Sequence, residues 1–289
     1  WNSEMPVDGT DPTFSRTGSL PKTHFVNPIG IGQDPWIVRD EKNQRYLWCF
    51  SEGDRAITIY SSKNISSLGQ RHLVWKSPES GPYSKQVWAP ELHLLNGKWH
   101  IYFAASDGQN ENHRAFVLQS KTDDPLGAYQ LHGPFQTGES ANENLWAIDM
   151  TPLKLGDKLY AIWSGWDRPN TDRQFLYIAE MESPLKLSTK RVRICNNSDY
   201  NWELTEPKPR GRGLNEGPQV IKNGKRTFVT YSCGASWLPT YKLGLLELTG
   251  DDPLDPSAWK KNKGSVFQSN KETFGVGHSC FVRSLNGSE

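Results

Sequence analysis

One segment type recurs along the chain. It has an alternating apolar run, a tight polar turn and a second run rich in aromatic and β-branched residues. The clearest copies are L-H-L-L-N-G-K-W-H-I-Y-F-A-A-S from Leu92, P-L-K-L-G-D-K-L-Y-A-I-W-S-G from Pro152 and Q-V-I-K-N-G-K-R-T-F-V-T-Y-S-C from Gln219. An earlier copy starts at Trp36, and a fifth begins at Cys280 and stops at its own Asn-Gly turn. Asn-Gly and Gly-Asp between alternating runs predict β-hairpins, because the tight turn needs positive φ. Each of the first four hairpins is followed by a third run with strand composition, from Ala56, Ala115, Phe175 and Leu243. A shorter fourth strand is expected in each unit, as in H-L-V-W at His72.

Short strands in units of roughly sixty residues, with no convincing amphipathic helix, predict an all-β, five-bladed β-propeller. A β-sandwich does not predict such a repeat. Residues 1–289 are read as one propeller domain. Five such units need roughly 300 residues, so the fifth blade is expected to be short at the C-terminus. Residues 1–32 are expected to supply closing strands, and the chain is expected to stop before its natural C-terminus.

Composition narrows the function. Lys plus Arg is 33 and Asp plus Glu is 32, which excludes the basic field of a nucleic-acid binder. Twelve Trp, 10 Tyr and 11 Phe argue for a packed fold and against disorder. No apolar run approaches the ~18 residues of a membrane span. The chain begins at Trp1 without a signal-like stretch, so a mature or trimmed product is expected. Sequons at Asn64, Asn196 and Asn286 permit a secreted protein. None of the four cysteines, Cys49, Cys195, Cys233 and Cys280, falls in a C-x-x-C pair, which argues against a zinc site. They are read as buried thiols, with a single bridge between neighbouring strands as the alternative.

A propeller aims the start of each innermost strand at its axis. The residues there are Asp34, Glu91, Asp149, Glu216 and His278. Four carboxyls and an imidazole around one axis are hard to explain by stability, because burying an unpaired charge is costly. Such a cluster pushes carboxyl pKa values apart, keeping one group protonated while another stays charged. Paired carboxyls near abundant Trp suit glycoside hydrolysis, where one protonates the leaving oxygen and the other activates water.

At this point the motifs resemble glycoside hydrolase family 43. They are Asp34-Pro35, Trp88-Ala89-Pro90-Glu91-Leu92-His93, Ala147-Ile148-Asp149, Asn215-Glu216-Gly217-Pro218-Gln219 and Gly277-His278, in order at blade spacing. W-S-G-W at Trp163 and N-H-R at Asn112 belong to the same resemblance. The chain looks closest to the branch of exo-acting α-1,5-L-arabinofuranosidases. The resemblance implies an inverting enzyme with Asp34 as general base, Glu216 as general acid and Asp149 as the carboxylate that orients the acid and raises its pKa. It implies arabinan or arabino-oligosaccharide substrates, a secreted monomer, and no nucleic-acid or membrane partner. Where that branch has Gly after the third carboxylate this chain has Met150, which is expected to reshape the pocket wall.

The remaining candidates divide between binding and packing. Phe50, Trp88, Ile148, Trp166 and Trp237 are candidate substrate contacts, with blade packing as the alternative for the aromatics. Glu91 is either a substrate contact or a structural carboxylate paired with Arg or His. His278 either hydrogen-bonds at the centre of the ring or ligates an ion there. The chemistry needs no cofactor, while the resemblance allows a structural Ca²⁺ or other ion in the channel. The basic stretch at Lys208 is read as a solvated loop rather than an anion contact. Rival readings are a β-xylosidase or galactofuranosidase on the same scaffold, or a carbohydrate-binding propeller without catalysis. Fructan-hydrolysing propellers are disfavoured by Gln33 before Asp34 and by the lack of an R-D-P motif.

Overall fold

The computed structural model describes residues 27–140 and 143–284. The chain divides into Trp1–Ile31 and Gly32–Glu289, and every strand named below belongs to the second unit. Most of the segment expected to supply closing strands lies outside the described residues.

Four antiparallel sheets follow one another in sequence, each a meander. The first is β1 (Trp36–Asp40), β2 (Arg45–Glu52), β3 (Ala56–Ser62) and β4 (Gln70–Lys76). The second is β5 (Lys85–Leu95), β6 (Lys98–Ser106), β7 (Arg114–Ser120) and β8 (Tyr129–His132). The third has β9 (Ala147–Leu155), β10 (Lys158–Trp166) and β11 (Gln174–Ser183), with β12 (Lys186–Leu187) and β13 (Val192–Cys195) both paired to β11. The fourth is β14 (Glu216–Asn223), β15 (Arg226–Cys233), β16 (Lys242–Leu248) and β17 (Trp259–Lys261). Among the described residues the only helices are three single 3₁₀ turns. The expected hairpin turns fall where the Asn-Gly and Gly-Asp pairs stand, with Leu95 opposite Lys98, Leu155 opposite Lys158 and Asn223 opposite Arg226.

The sheets are blades because each middle strand is buried on both faces. In β6, Ile101 and Phe103 face the first blade, in a cluster with Trp36, Leu47 and Ile59. The intervening Tyr102 faces the third blade, packing with Ala147, Met150 and Trp163. In β10 the alternation repeats: Ala161 and Trp163 face the second blade, while Tyr160 and Ile162 pack with Val229, Tyr231 and Leu246 of the fourth. A period of two delivers successive side chains to opposite neighbours, so strands flanked by blades read as near-continuous apolar runs.

The described residues form four blades, and the expected count of five is corrected to four. The fifth hairpin copy fails as a blade because its first arm, from Cys280 to Arg283, has no ladder partner among the described residues. It runs beside β1 through Cys280 Sγ, which contacts the Ile37 N–H and C=O at 3.4 Å, and through Arg39, which donates to Ser284 O at 2.9 Å. A strand needs a partner for its backbone groups, and among the described residues no sheet forms there. All four cysteines are free thiols.

Candidate active site

Left-handed backbone recurs at the heads of the four blades and at His278. Asp34 (φ 51°), Ala89 (φ 46°), Asp149 (φ 54°), Gly217 (φ 53°) and His278 (φ 49°) all adopt it. Register shifts accompany it in β5, β9 and β14. A bulge with positive φ re-aims a side chain that a regular strand would point elsewhere. At Asp149 the result is visible: its carboxylate turns to the fourth blade while Met150 enters the core, 1% exposed. Met150 therefore packs between the second and third blades, and the expectation that it shapes the pocket wall is corrected.

Asp34, Asp149, Glu216 and His278 come together. His278 Nδ1 lies 3.1 Å from Asp34 Oδ1. Asp149 Oδ2 accepts the Gly217 N–H at 2.9 Å, which ties the third carboxylate to the peptide just after Glu216. Glu216 Oε1 accepts from the Tyr241 hydroxyl at 2.7 Å, and Oε2 accepts from Gln174 Nε2 at 2.9 Å. The His278 N–H donates to Ser232 Oγ at 2.6 Å. Two glycines make this closeness attainable. A Cβ on Gly217 would stand 3.2 Å from the His278 ring, and one on Gly277 would stand 2.0 Å from the Tyr241 ring.

The charges sort themselves by environment. Burial pushes Asp34 up, but the charge and hydrogen bond of His278 outweigh it, so its carboxyl stays below the ordinary range. Burial pushes Glu216 up more than the Tyr241 and Gln174 hydrogen bonds and the His278 charge pull it down, and Asp34 adds to the upward push. Asp149 rises to about 7, first through burial, with Glu216 and Asp34 adding to it against His278. Burial disfavours the His278 cation, yet the surrounding carboxylates, Asp34 first, raise it to about 10. The cluster thus favours the charged form of Asp34 beside His278 and shifts Glu216 and Asp149 toward their protonated forms. Asp149 holds the Gly217 N–H next to Glu216, and the upward push on Glu216 comes chiefly from burial.

The other candidates separate. Glu91 is 2% exposed, and its carboxylate is engaged by Gln219 at 2.6 Å and His93 at 2.9 Å. It links the second blade to the fourth and is positioned as a structural group. Trp88, Ile148 and Trp166 gather with Trp146 in one apolar cluster. Trp88 stacks on His113 at 3.9 Å and remains partly exposed. Trp166 lies flat on Trp146 at 4.7 Å and is buried, so one ring face is already used for packing. Phe50 touches Gly32, two residues before Asp34. Trp237 stands 66% exposed in the β15–β16 loop, with the Arg212 guanidinium 5.9 Å from its ring. That loop, like the β2–β3, β6–β7 and β10–β11 loops, lies on the face where the innermost strands begin, because strand direction alternates across a meander.

His278 Nδ1 is engaged by Asp34, which leaves Nε2 as its remaining donor atom. No three His, Cys, Asp or Glu side chains converge as metal ligands among the described residues. No step below passes through a metal. Sequence reasoning missed Tyr241, Gln174 and Ser232, which carry no recurring motif. It also missed Asp54, in the β2–β3 turn, which hydrogen-bonds the Trp88 indole and is pushed up by burial and then by Asp34.

Comparison with known proteins agrees with this geometry. Residues 25–289 match the profile of Glycosyl hydrolases family 43. An extracellular exo-α-(1→5)-L-arabinofuranosidase of Streptomyces chartreusis is 28% identical over 91% of this chain and 79% of its own length. The α-L-arabinofuranosidase 43 of Humicola insolens is 32% identical over 92% of this chain, which spans 55% of that longer protein. The crystal structure of an α-L-arabinofuranosidase from Lactobacillus brevis superposes with a TM-score of 0.82 at 31% identity, covering 91% of this chain and 83% of that one. With the family's profile matched across nearly the whole sequence and the carboxyl cluster assembled at the blade heads, the chain belongs to glycosyl hydrolase family 43.

Proposed function

We propose that the protein is an exo-acting α-L-arabinofuranosidase that releases L-arabinofuranose from α-1,5-linked arabinan fragments with inversion. The observation that carries this reading is the convergence of three carboxyls of unlike environment at the blade heads: Asp34 beside His278, Asp149 on the Gly217 N–H, and Glu216 between Tyr241 and Gln174. His278 favours the charged form of Asp34, and burial favours the protonated form of Glu216. An inverting glycosidase needs that pair. Asp34 takes a proton from water as its oxygen attacks the anomeric carbon, and Glu216 gives its proton to the glycosidic oxygen as the C–O bond breaks. Asp149 holds the Gly217 peptide and so keeps the acid in register. The arabinose preference and the exo mode rest on the names of the relatives. A secreted monomer is part of the same proposal, motivated by the extracellular relatives.

The test is product analysis with α-1,5-arabinotriose, 4-nitrophenyl α-L-arabinofuranoside and the matching β-D-xyloside. Arabinose should appear from the first two, one unit at a time from the trisaccharide. Glu216→Gln should lose about 10²- to 10⁴-fold on arabinotriose, the usual worth of a general acid. The loss should be smaller on the aryl glycoside, whose leaving group departs without a proton. Preferential cleavage of the xyloside would overturn the substrate assignment. An equal loss on both arabinosides would overturn the acid assignment.

A further inference from the structure

The hydrogen bonds behind Glu216 form a closed clasp. Gln174 Nε2 donates to Glu216 Oε2 at 2.9 Å and to Ser164 Oγ at 3.2 Å. Ser164 Oγ donates to the Asn215 carbonyl at 2.8 Å, and the Asn215 N–H returns to the Gln174 carbonyl at 3.1 Å. Asn197 Nδ2 closes the same loop from behind, donating to the carbonyls of Gln174 and Gly213, each at 3.0 Å. Asn215 Nδ2 donates to the Asn196 carbonyl at 3.0 Å. Ser164 and Asn215 are fully buried, and Gln174 and Asn197 are nearly so.

Counting donors decides the orientation of the amide. A carbonyl can only accept, so the single Ser164 proton goes to Asn215. Ser164 Oγ is then an acceptor toward Gln174, and the Gln174 nitrogen, not its oxygen, must face it. That nitrogen has two protons. One serves Ser164 and the other serves Glu216 Oε2. Oε2 therefore meets a donor that has no means of accepting in return. A proton on Oε2 would face an N–H head-on. On the other side, Oε1 meets the Tyr241 hydroxyl, which can donate or accept.

We propose that Gln174, locked by Ser164 and Asn215, is a positioning residue that confines the transferable proton of Glu216 to Oε1. This deepens the reading of Glu216 as the acid and rests on it. The proton leaves Oε1 for the glycosidic oxygen as the C–O bond breaks. The resulting carboxylate then finds two donors already in place, Gln174 at Oε2 and Tyr241 at Oε1. Preorganised donors at the position of developing charge cost no reorganisation at the moment of reaction. Burial favours the protonated form of Glu216 before the reaction, and the two donors receive the charge after it. Asp34 and His278 also act on Glu216, and both stay in place when the clasp is altered.

Two variants test this. Gln174→Met keeps the length of the side chain and removes both donors. Ser164→Ala leaves Gln174 in place but frees its amide to turn, and it removes one buried atom only. On α-1,5-arabinotriose, Gln174→Met should lower kcat about 10²- to 10³-fold with little change in KM, the usual range for one lost donor to developing charge. The alkaline limb of its kcat/KM profile should move up, because the charged form of Glu216 has lost a hydrogen bond. Ser164→Ala should move the same limb in the same direction by less. Both losses should shrink on 4-nitrophenyl α-L-arabinofuranoside. An unmoved alkaline limb in both variants, or equal losses on both substrates, would overturn the proposal. If Gln174→Met does not fold, Ser164→Ala decides it. Glu216→Gln measured alongside separates the two claims. Wild-type activity in that variant defeats the acid assignment itself, whereas its inactivity with an undisturbed Gln174→Met defeats only the clasp.

Discussion

Replacing His278 by Gln removes the cation that acts on Asp34, Asp149 and Glu216. Its effect on stability can be worked from the structure with its sign. The His278 imidazole is raised from 6.5 to about 10 in the folded protein. A group whose folded value is raised contributes stability that is fully present below its unfolded value and is lost as pH rises through its folded value. The window is therefore from about pH 6.5 to about pH 10. The separation corresponds to on the order of 5 kcal/mol, shared among the carboxylates that surround the ring. Removing one partner of a buried pair typically costs ~3–5 kcal/mol, which agrees in size. The assay is urea unfolding of both proteins at pH 6, 8 and 10. At pH 6 the variant should lie several kcal/mol below the wild type. The gap should narrow at pH 8 and nearly close by pH 10. Asp34, Asp149 and Glu216 each lose the downward pull of His278 in the variant, so the narrowing of the gap reads the cluster as a whole. A gap that is the same at pH 6 and pH 10 would refute the claim that His278 is held as a cation by its neighbours.

The dependence of kcat/KM on pH should be bell-shaped, because activity needs Asp34 ionised and Glu216 protonated. The acidic limb should lie below the ordinary Asp value of 3.8 and the alkaline limb above the ordinary Glu value of 4.5, and a single limb would contradict the assignment. Gly217→Ala places a Cβ at φ 53° and 3.2 Å from the His278 ring. It should cost at least ~1–2 kcal/mol in thermal unfolding and lower kcat as the Asp149 contact shifts. Met150→Ala should cost ~2–5 kcal/mol, because the side chain fills the core between two blades. Its KM for arabinotriose should stay near wild type, since Met150 does not line the pocket, and a large change in KM would restore it to the pocket wall.

Much of the architecture was legible because it is local. Asn96-Gly97, Gly156-Asp157 and Asn223-Gly224 each turn a hairpin where expected, since turn chemistry acts over a few residues. The third strands followed from composition, as in A-I-T-I-Y-S-S, which is β3. Recurrence then placed Asp34, Asp149, Glu216 and His278 at blade heads, and the structure brings these four together. Blade number was read wrongly, because an arm such as Cys280–Arg283 becomes a strand only if a partner lies beside it. No property of its own residues reveals that.

What the sequence determined by itself was the hairpin unit, its repetition and the residue types at each blade head. These depend on backbone preference and on a period of two, and both act between neighbours in the chain. Tertiary structure alone decided in which direction each carboxyl shifts. Asp34 and Glu216 have similar intrinsic acidity, and they part because His278, distant in sequence, contacts Asp34 directly, while at Glu216 burial outweighs the pull of Tyr241, Gln174 and His278. It also decided that Glu91 is spent on Gln219 and His93, that Met150 turns into the core at a bulge, and that Tyr241 and Gln174 reach the acid. Each of these depends on distances between blades, and desolvation and hydrogen bonding respond to distance in space, not to separation along the chain.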